Sequence, residues 1–599
     1  DGGKVFDSVF GADAGGGDGG DVGRVKKVLL YINTTKYLKW IQILYQIRNR
    51  IPDGRKERIL KRIRAVNSIP QAEPVSVMIP ALDLVKNYLA RFQVSGLLKN
   101  EVEILHERHI VDFTKWEVAD ASHLWNYNLH YLEFLIPLAA ACRENNADRY
   151  FRKWCEYVES WIDHPVRDSF EPYTISMRIP NFLICMNLLQ DKIRGSKLEK
   201  KLIKSIYQQY RYLLATQEFA LLANHYFENL KTILICSVLF GEKDIYGRYF
   251  ARFCGEMEEQ ILADGLHYER SLMYHKIILE DTLRVYAALD GGKEYKNDAG
   301  KLLPMIRHMA DALASVSRGI PTTPLFNDAG NNVAKDTDEL LKAVREVTGC
   351  SALNEQTAFE KSGYYKLYAG ENALLFDCGQ TGPSYMGGHA HCDCLSFELT
   401  RGGKTIFTNS GTYQYQGRLR QFFRSTMAHN TIMIDEREQE ELWGEHRAAR
   451  KLSGTVCEIS GQTVSGRFHS FHGDDFGREI ELTEKMLKIM DHVLACDRKE
   501  HVARQFFHLH PNCRFVADTA QRISVWGGGK RQAVIHIPPG STGIIHREGD
   551  ICFFAQDFGK LERKEVLEIR TAFVKRVGVT VVVEVMAEGY VCCEIKGVK

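Results

Sequence analysis

The chain has 599 residues, 45% of them hydrophobic and 26% charged, and its formal charge at pH 7 is only +2. This is the composition of a globular protein with room for two or three separate cores, and it excludes a disordered, fibrous or globally nucleic-acid-binding class. No run of about 18 apolar residues occurs, so no membrane span is expected. The fifteen cysteines are scattered. Several, such as Cys185 and Cys236, sit inside apolar helical runs as small hydrophobes, a usage that leans towards the cytoplasm; a periplasmic or secreted location would require a removed leader.

In chain order, residues 1–24 are rich in glycine and aspartate and cannot build a core, so they read as a flexible tail or a remnant of cloning. Residues 25–350 carry apolar positions three and four apart in segment after segment, for example "RYFRKWCEYVESWIDH" and "HYFENLKTILICSVLFGE". That spacing predicts a helical domain of stacked hairpins with no strand interrupting it. After the loop "GIPTTPLFNDAGNN" and a last helix near "DELLKAVREVTG" the period changes to two, in runs such as "REIELTEKMLKIMDHVLAC" and "TVVVEVMAEGYVCCEI". Residues 351–599 therefore read as an antiparallel β-sandwich, and the whole as an α+β multidomain protein with a cleft expected at the junction.

Three constellations carry chemistry. In "LLANHYFENLKTILIC", Asn224 and His225 open a helix; Asn224 serves either as its N-cap or as a site amide. In "DGLHYERSLMYHKIILED", Tyr268 and Tyr274 flank a polar turn, either packed or poised for proton transfer. In "GGHAHCDCLSFEL", His389, His391 and Asp393 alternate with period two, which predicts one face of a strand ending in polar groups. Asn409 and His429, in the following stretch, are then near enough in the sheet to complete a zinc-like site with His391. Burying such groups unpaired costs several kcal/mol, roughly 2 to 7 each, so a partner is required. Arg418, Arg420, Arg424, Arg447 and Arg450 follow closely and read as a patch for carboxylate or sulfate, or as a solvated surface.

Seven segments in order, "WNYNLHYLEFL", "PYTISMRIPNFL", "ANHYFENLKTIL", "YERSLMYHKIILED", "PLFNDAG", "GGHAHCDCLSFEL" and "FRSTMAHNTIMID", resemble the heparinase II/III-like polysaccharide lyases. The resemblance implies an N-terminal (α/α) toroid of helical hairpins, a C-terminal antiparallel β-sandwich and a bacterial source. It implies a lyase that breaks an acidic, uronic-acid-containing polysaccharide, a glycosaminoglycan such as heparan sulfate or a bacterial exopolysaccharide, by β-elimination. Nucleic acid is not an expected partner. Asn224, His225, Tyr274 and His389 take the catalytic positions, with Tyr268 the alternative to Tyr274, and Arg178 and Arg424 those that bind substrate. His391, Asn409 and His429 take those of a divalent metal, usually zinc and mainly structural, with no organic cofactor. Asn409 departs from the family pattern, where this ligand is commonly an aspartate, and an amide is the poorer ligand.

The sequence is also compatible with two rival functions. The segment at residues 28–51, "VLLYINTTKYLKWIQILYQIRNRI", resembles the leading helix of relatives in exopolysaccharide synthesis, which keeps open a non-catalytic glycan-binding protein. Helical toroids also host glycoside hydrolases, with Glu228, Glu269 and Asp281 as the available carboxylates.

Overall fold

Helical periodicity in the sequence becomes helix after helix from Asp21–Thr35 to Thr337–Thr348. The computed structural model describes residues 21–51, 54–143, 148–164, 166, 168–353 and 355–586. Of the tail expected over 1–24, residues 1–20 lie outside that set, and 21–24 form the first turn of the Asp21–Thr35 helix. The leading segment 28–51 is two helices, Asp21–Thr35 and Trp40–Arg50, separated at residues 36–39. One strand pair interrupts the helical half against expectation: Glu101–Ile104 and Glu107–Ile110 form a hairpin whose turn residues Leu105 and His106 have positive φ. Four-residue strands are too short for a period-two pattern to stand out.

Three helices, Pro172–Leu188, Ala223–Leu239 and Leu272–Asp290, pack side by side as an inner row. They are buried nearly all round, and the polar residues they carry, such as Glu228, Lys231 and Asp281, are paired with one another or turned to the cleft. Lys197–Thr216, Lys243–Gln260 and Lys296–Ser317 pack outside them and keep one polar face for water. Each inner helix thus belongs to a hairpin, and the inner helices start at a common cleft, since Tyr173, Asn224 and Tyr274 all line it.

The sheet half contains an eight-stranded, a five-stranded and a four-stranded antiparallel sheet. In the largest, the alternation read from "REIELTEKMLKIMDHVLAC" gives strands Asp475–Leu482 and Met486–Leu494. Their register sets Val464, Ile480, Ile489 and Val581 opposite one another across four strands, all fully buried. Burying each stabilises the sandwich by about 1.5–3 kcal/mol, and a one-residue slip would turn the row to solvent. On the same two strands Arg478 and Asp491 pair bidentately, and Arg478 also donates to Leu395 O at 2.8 Å and Asn430 O at 2.6 Å. That arginine fixes two loops of the site to the sheet.

The strand expected through "GGHAHCDCLSFEL" is not formed. Residues 387–396 are loop and turn, and the strand begins only at Phe397. Leu395, at φ +62, breaks the alternation, so His389, His391 and Asp393 do not share a strand face. The polar spacing imitates a strand because the apolar residues after it, Phe397 and Leu399, do belong to one.

Several histidines in the helical half are buried uncharged. Burial lowers His130 to about 3, His267 to about 4 and His275 to about 3. In the unfolded chain each takes up its proton near pH 6.5. The unfolded state therefore binds more protons between about pH 6.5 and 4, and folding stability falls as pH drops through that window, by up to about 1.4 kcal/mol per unit for each histidine. Urea unfolding followed by circular dichroism is expected to show a clearly lower midpoint at about pH 5 than at about pH 7; equal midpoints would contradict this account.

Candidate active site

A cleft of about 2270 Å³ lies between the helical and sheet halves. Its helical wall is made by the N-terminal three turns of the inner helices: Tyr173 and Asn181, then Asn224, His225, Glu228 and Lys231, then Tyr274 and Asp281. The spacing of three and four residues along each helix is what presents one stripe to one cavity. The sheet wall contributes His389, Tyr415 and His446.

Asn224 enters its helix through Leu222 at φ +62 and Ala223 at φ +50. Leu222, at ψ −148, lies in a positive-φ region nearly exclusive to glycine; such residues cost of order 1–3 kcal/mol each and concentrate at functional sites. Asn224 does not act as the N-cap, a position held by Leu222 with no side-chain bond. Its Oδ1 is buried without a hydrogen-bond partner among the described residues. Its backbone N–H donates to Glu269 Oε1 at 3.2 Å, and the other oxygen of Glu269 meets His389 Nδ1. Burial pushes the Glu269 carboxyl up, but His389, His267 and the Asn224 N–H together hold it below the usual range. One ionised carboxylate thus grips an amide on the helical wall and an imidazole on the sheet wall.

The His389 ring stacks on Tyr274, with centroids 4.1 Å apart and planes at 11°, and the Tyr274 hydroxyl meets that of Tyr415 at 2.6 Å. Burial, with Tyr415 and Asp328 beside it, drives Tyr274 well above the ordinary phenol value, so it stands as a protonated donor. The loop bearing Tyr415 is pinned by Gly411, where a Cβ would lie 1.9 Å from Ala555 O and φ is +81. His225 contacts Glu218 through Nδ1 at 3.0 Å; burial opposes its charge, but Glu218 raises its pKa overall. With Nδ1 engaged in each case, Nε2 is the nitrogen left for chemistry in His225 and His389. Tyr268, the other tyrosine of its motif, does not line the cleft; its hydroxyl pairs with Tyr385 at 2.8 Å.

Behind this wall the loop 324–330 joins both halves. Ser271 caps the Leu272–Asp290 helix and donates to Asp328 O, and Asn327 receives the His391 N–H at 3.0 Å while donating its own N–H to Asp393 at 2.7 Å. The Asp328 carboxylate takes both arms of Arg420 and His391 Nε2 at 2.8 Å. Arg420 therefore belongs to the frame, not to an anion-binding patch. Two expected substrate arginines are likewise corrected. Arg178 is fully buried, donates to Gln209, His130 O and Ser169 O, and does not line the cleft. Arg424 is buried against backbone carbonyls, including those of Ala390 and Arg447, and stitches the histidine loop to the loop at 444–447.

His391, Asp393 and His429 bring three ligand atoms within 4.8 Å of one another, all buried. His391 Nδ1 and both ring nitrogens of His429 have no hydrogen-bond partner among the described residues. Burial lowers His391 to about 4 and His429 well below its normal value, so both imidazoles are neutral, the form that ligates, while burial raises Asp393 to about 7. Orphaned neutral imidazoles beside a carboxylate fit a divalent ion such as zinc. Asn409 is corrected: its Oδ1 accepts the Asn430 N–H at 3.1 Å and its Nδ2 donates to Ser396, so the amide is already spent on structure.

Sequence reasoning missed Asp328 and Tyr415 and considered Glu269 only as a hydrolytic acid. A lone carboxylate carries no periodicity; the one available signal was that Glu269 and Asp328 fall inside the ordered motifs "YERSLMYHKIILED" and "PLFNDAG".

Residues 83–350 match the family described as Heparinase II/III N-terminus, and residues 352–589 match Heparinase II/III-like, C-terminal. The heparin-sulfate lyase of Bacteroides thetaiotaomicron is 22% identical over 374 residues, which is 53% of this chain and 53% of that protein. That of Pedobacter heparinus is 23% identical over 363 residues, 54% of each. The chain spans about half the length of the curated relatives it matches. Among solved structures, heparinase III superposes with a TM-score of 0.67 at 16% identity, covering 92% of this chain and 91% of that one. A mutant heparan sulfate lyase from Pedobacter heparinus gives 0.57 at 15% identity, over 89% and 88%. The fold is thus the (α/α) toroid followed by an antiparallel β-sandwich.

The Glu269 clasp is testable by stability alone. Glu269→Ala strands the buried Asn224 N–H and the His389 Nδ1, and the expected loss is about 1–3 kcal/mol for each orphaned group, with Glu269→Gln losing less because its amide still accepts from Asn224. Denaturant unfolding of the two variants measures this; an Ala variant as stable as the parent would refute the clasp.

Proposed function

Because the chain belongs to the heparinase II/III-like family across both of its halves, we propose that it is a polysaccharide lyase acting on a uronic-acid-containing acidic polysaccharide, either a glycosaminoglycan of the heparan sulfate kind or a bacterial exopolysaccharide. The observation that carries this reading is the meeting of Asn224, His225, Tyr274 and His389 in one cleft, with Glu269 clamping the first and last across its two walls.

The chemistry asked of these residues is β-elimination. The C5–H bond breaks, its electrons form the C4=C5 double bond, the C4–O4 bond breaks, and O4 leaves with a proton. The C5 proton is weakly acidic because its electrons must be delocalised onto the neighbouring carboxylate. The unpartnered Asn224 Oδ1 belongs to an amide whose NH₂ can donate to that carboxylate as charge builds, and a preorganised donor of this kind is typically worth about 10²–10³ in rate. An imidazolium at His225, favoured by Glu218, adds charge on the same side. In this reading His389 Nε2 takes the C5 proton, with Glu269 fixing the ring, and Tyr274, kept protonated by burial, gives its proton to O4.

The carboxylates weighed for a hydrolase do not form a free pair. Glu228 and Asp281 both face the cleft, but Lys231 bridges them, bonding Asp281 at 2.7 Å and Glu228 as well, which ties one oxygen of each to a buried ammonium. A non-catalytic glycan binder would have no need of a buried, protonated phenol stacked on an imidazole.

We also assign the divalent ion, zinc by donor type, to His391, Asp393 and His429, where it would neutralise buried polar atoms and stiffen the loop that presents His389. When bound it supplies charge and rigidity, and no proton transfer passes through it.

Tyr274→Phe is expected to lower turnover by about 10²–10⁴-fold while the variant still folds, at a cost of about 1–3 kcal/mol for the Tyr415 hydroxyl it orphans. Turnover is read as the near-ultraviolet absorbance of the unsaturated product during a screen of uronate polymers. Wild-type turnover in that variant would remove Tyr274 from the mechanism. His429→Ala should lose bound zinc by elemental analysis and melt lower, and a chelator should shift the parent protein in the same direction; a variant that retains the parent's zinc would overturn the ligand set.

A further inference from the structure

The two leading helices have two faces with different fates. Inwardly they are fastened to both halves of the protein. Thr34 accepts from Trp443 Nε1 at 2.9 Å, Gln42 donates to Leu221 O at 3.1 Å, and Tyr45 packs on Phe219. Leu38, Gln42 and Gln46 also line the cleft. Outwardly, Val25, Leu29 and Ile32 stand in water on the Asp21–Thr35 helix, and Trp40, Leu44 and Ile47 on the Trp40–Arg50 helix. Both triplets have the spacing i, i+4, i+7, so each forms one stripe. Trp40 is 85% exposed and Leu44 59%. Single exposed apolar residues are ordinary, but two ordered stripes on adjacent helices are not.

Charge decides what covers them. Residues 25–50, which span both helices, contain six Lys or Arg and no Asp or Glu, whereas the whole chain is only +2, so the remainder is net acidic. Lys39 pairs with Glu259, and Arg48 and Arg50 line the cleft, while Lys26, Lys27 and Lys36 stand exposed on the same segment as the stripes. A second copy docking by the same face would set cation against cation. An acidic polysaccharide would satisfy the cations and leave the stripes in water. An anionic bilayer satisfies both, since apolar side chains enter the acyl boundary while lysine and arginine meet the headgroups.

We propose that these two helices dock the protein on the surface of an anionic lipid bilayer, as an interfacial anchor and not a span; no helix among the described residues is long and apolar enough to cross a membrane. Because Gln42 lines the cleft and Trp40 and Leu44 face outward on one helix, docking would hold the cleft's rim within about one helix diameter, ~10 Å, of the lipid. An enzyme so placed takes its polymer at the membrane surface.

The test is flotation of the full chain with phosphatidylcholine vesicles, with or without phosphatidylglycerol. We expect binding to the anionic vesicles, weaker binding at high salt, and about tenfold or greater weakening on phosphatidylcholine alone. Trp40→Glu and Leu44→Glu should each reduce partition by about tenfold or more, with the melting temperature unchanged because both side chains already stand in water. The proposal is overturned if neither vesicle is bound, if the two variants bind as well as the parent, or if sedimentation shows a dimer of the parent that Trp40→Glu converts to monomer.

Discussion

A buried carboxylate is stable only where its partners are fixed, and Glu269 has partners on both sides of the cleft. It accepts the backbone N–H of Asn224 from the helical wall and holds His389 from the sheet wall. Neither partner alone would offset the cost of taking that charge out of water. Glu269 is thus one of the ties that hold the two walls together, and by gripping Nδ1 it fixes the His389 ring that stacks on Tyr274. Asp328 repeats the arrangement one layer deeper, where Arg420 and His391 meet it from the sheet half while its backbone carbonyl receives Ser271 from the helical half.

This explains why so many arginines near the site are unavailable to substrate. Arg178, Arg420, Arg424 and Arg478 are all buried, and their donors are used on carbonyls or on single carboxylates. A guanidinium has five donors in a rigid fork, which suits it to pinning irregular backbone where no ladder of strand bonds exists. The loop 387–396 is such a backbone: it carries His389 into the cleft and, two residues on, His391 away from it towards Asp393 and His429. Positive φ at Leu395 within it and at Asn327, which bonds His391 and Asp393, shows that the frame holds strained positions that an unsupported loop would relax.

The division into helical and sheet halves was legible because it rests on repeated periods, and periods survive in a single sequence. Inner helices such as Ala223–Leu239 and strands such as Asp475–Leu482 follow their patterns closely. What misled was a period without its structure: His389, His391 and Asp393 alternate like a strand, yet the chain turns at Leu395. The arginines misled for a related reason. Sequence gives charge but not depth, and Arg424 at the surface and Arg424 in a carbonyl cage spell the same letter. Glu269 and Asp328 were nearly silent, because a residue whose role is to join segments 120 and 63 positions apart leaves no local mark.

The electrostatics of the cleft bear on how the proposed elimination divides its labour. A base and an acid that touch exchange their proton wastefully unless their affinities are kept apart. Here burial raises the phenol of Tyr274 far above its ordinary value, with Tyr415 and Asp328 adding to the effect, while Glu269 holds the ring of His389 by Nδ1. The stacked geometry matters as much as the shift. Rings in parallel planes 4.1 Å apart bring their π-faces together, not a phenol O–H and an Nε2 lone pair, so the two groups can serve opposite ends of one sugar without neutralising each other. In the proposed mechanism, separation of acid from base by stacking, with Glu269 holding the His389 ring, is the constraint to which the positive-φ entry at Leu222 and Ala223 and the buried arginine frame both contribute.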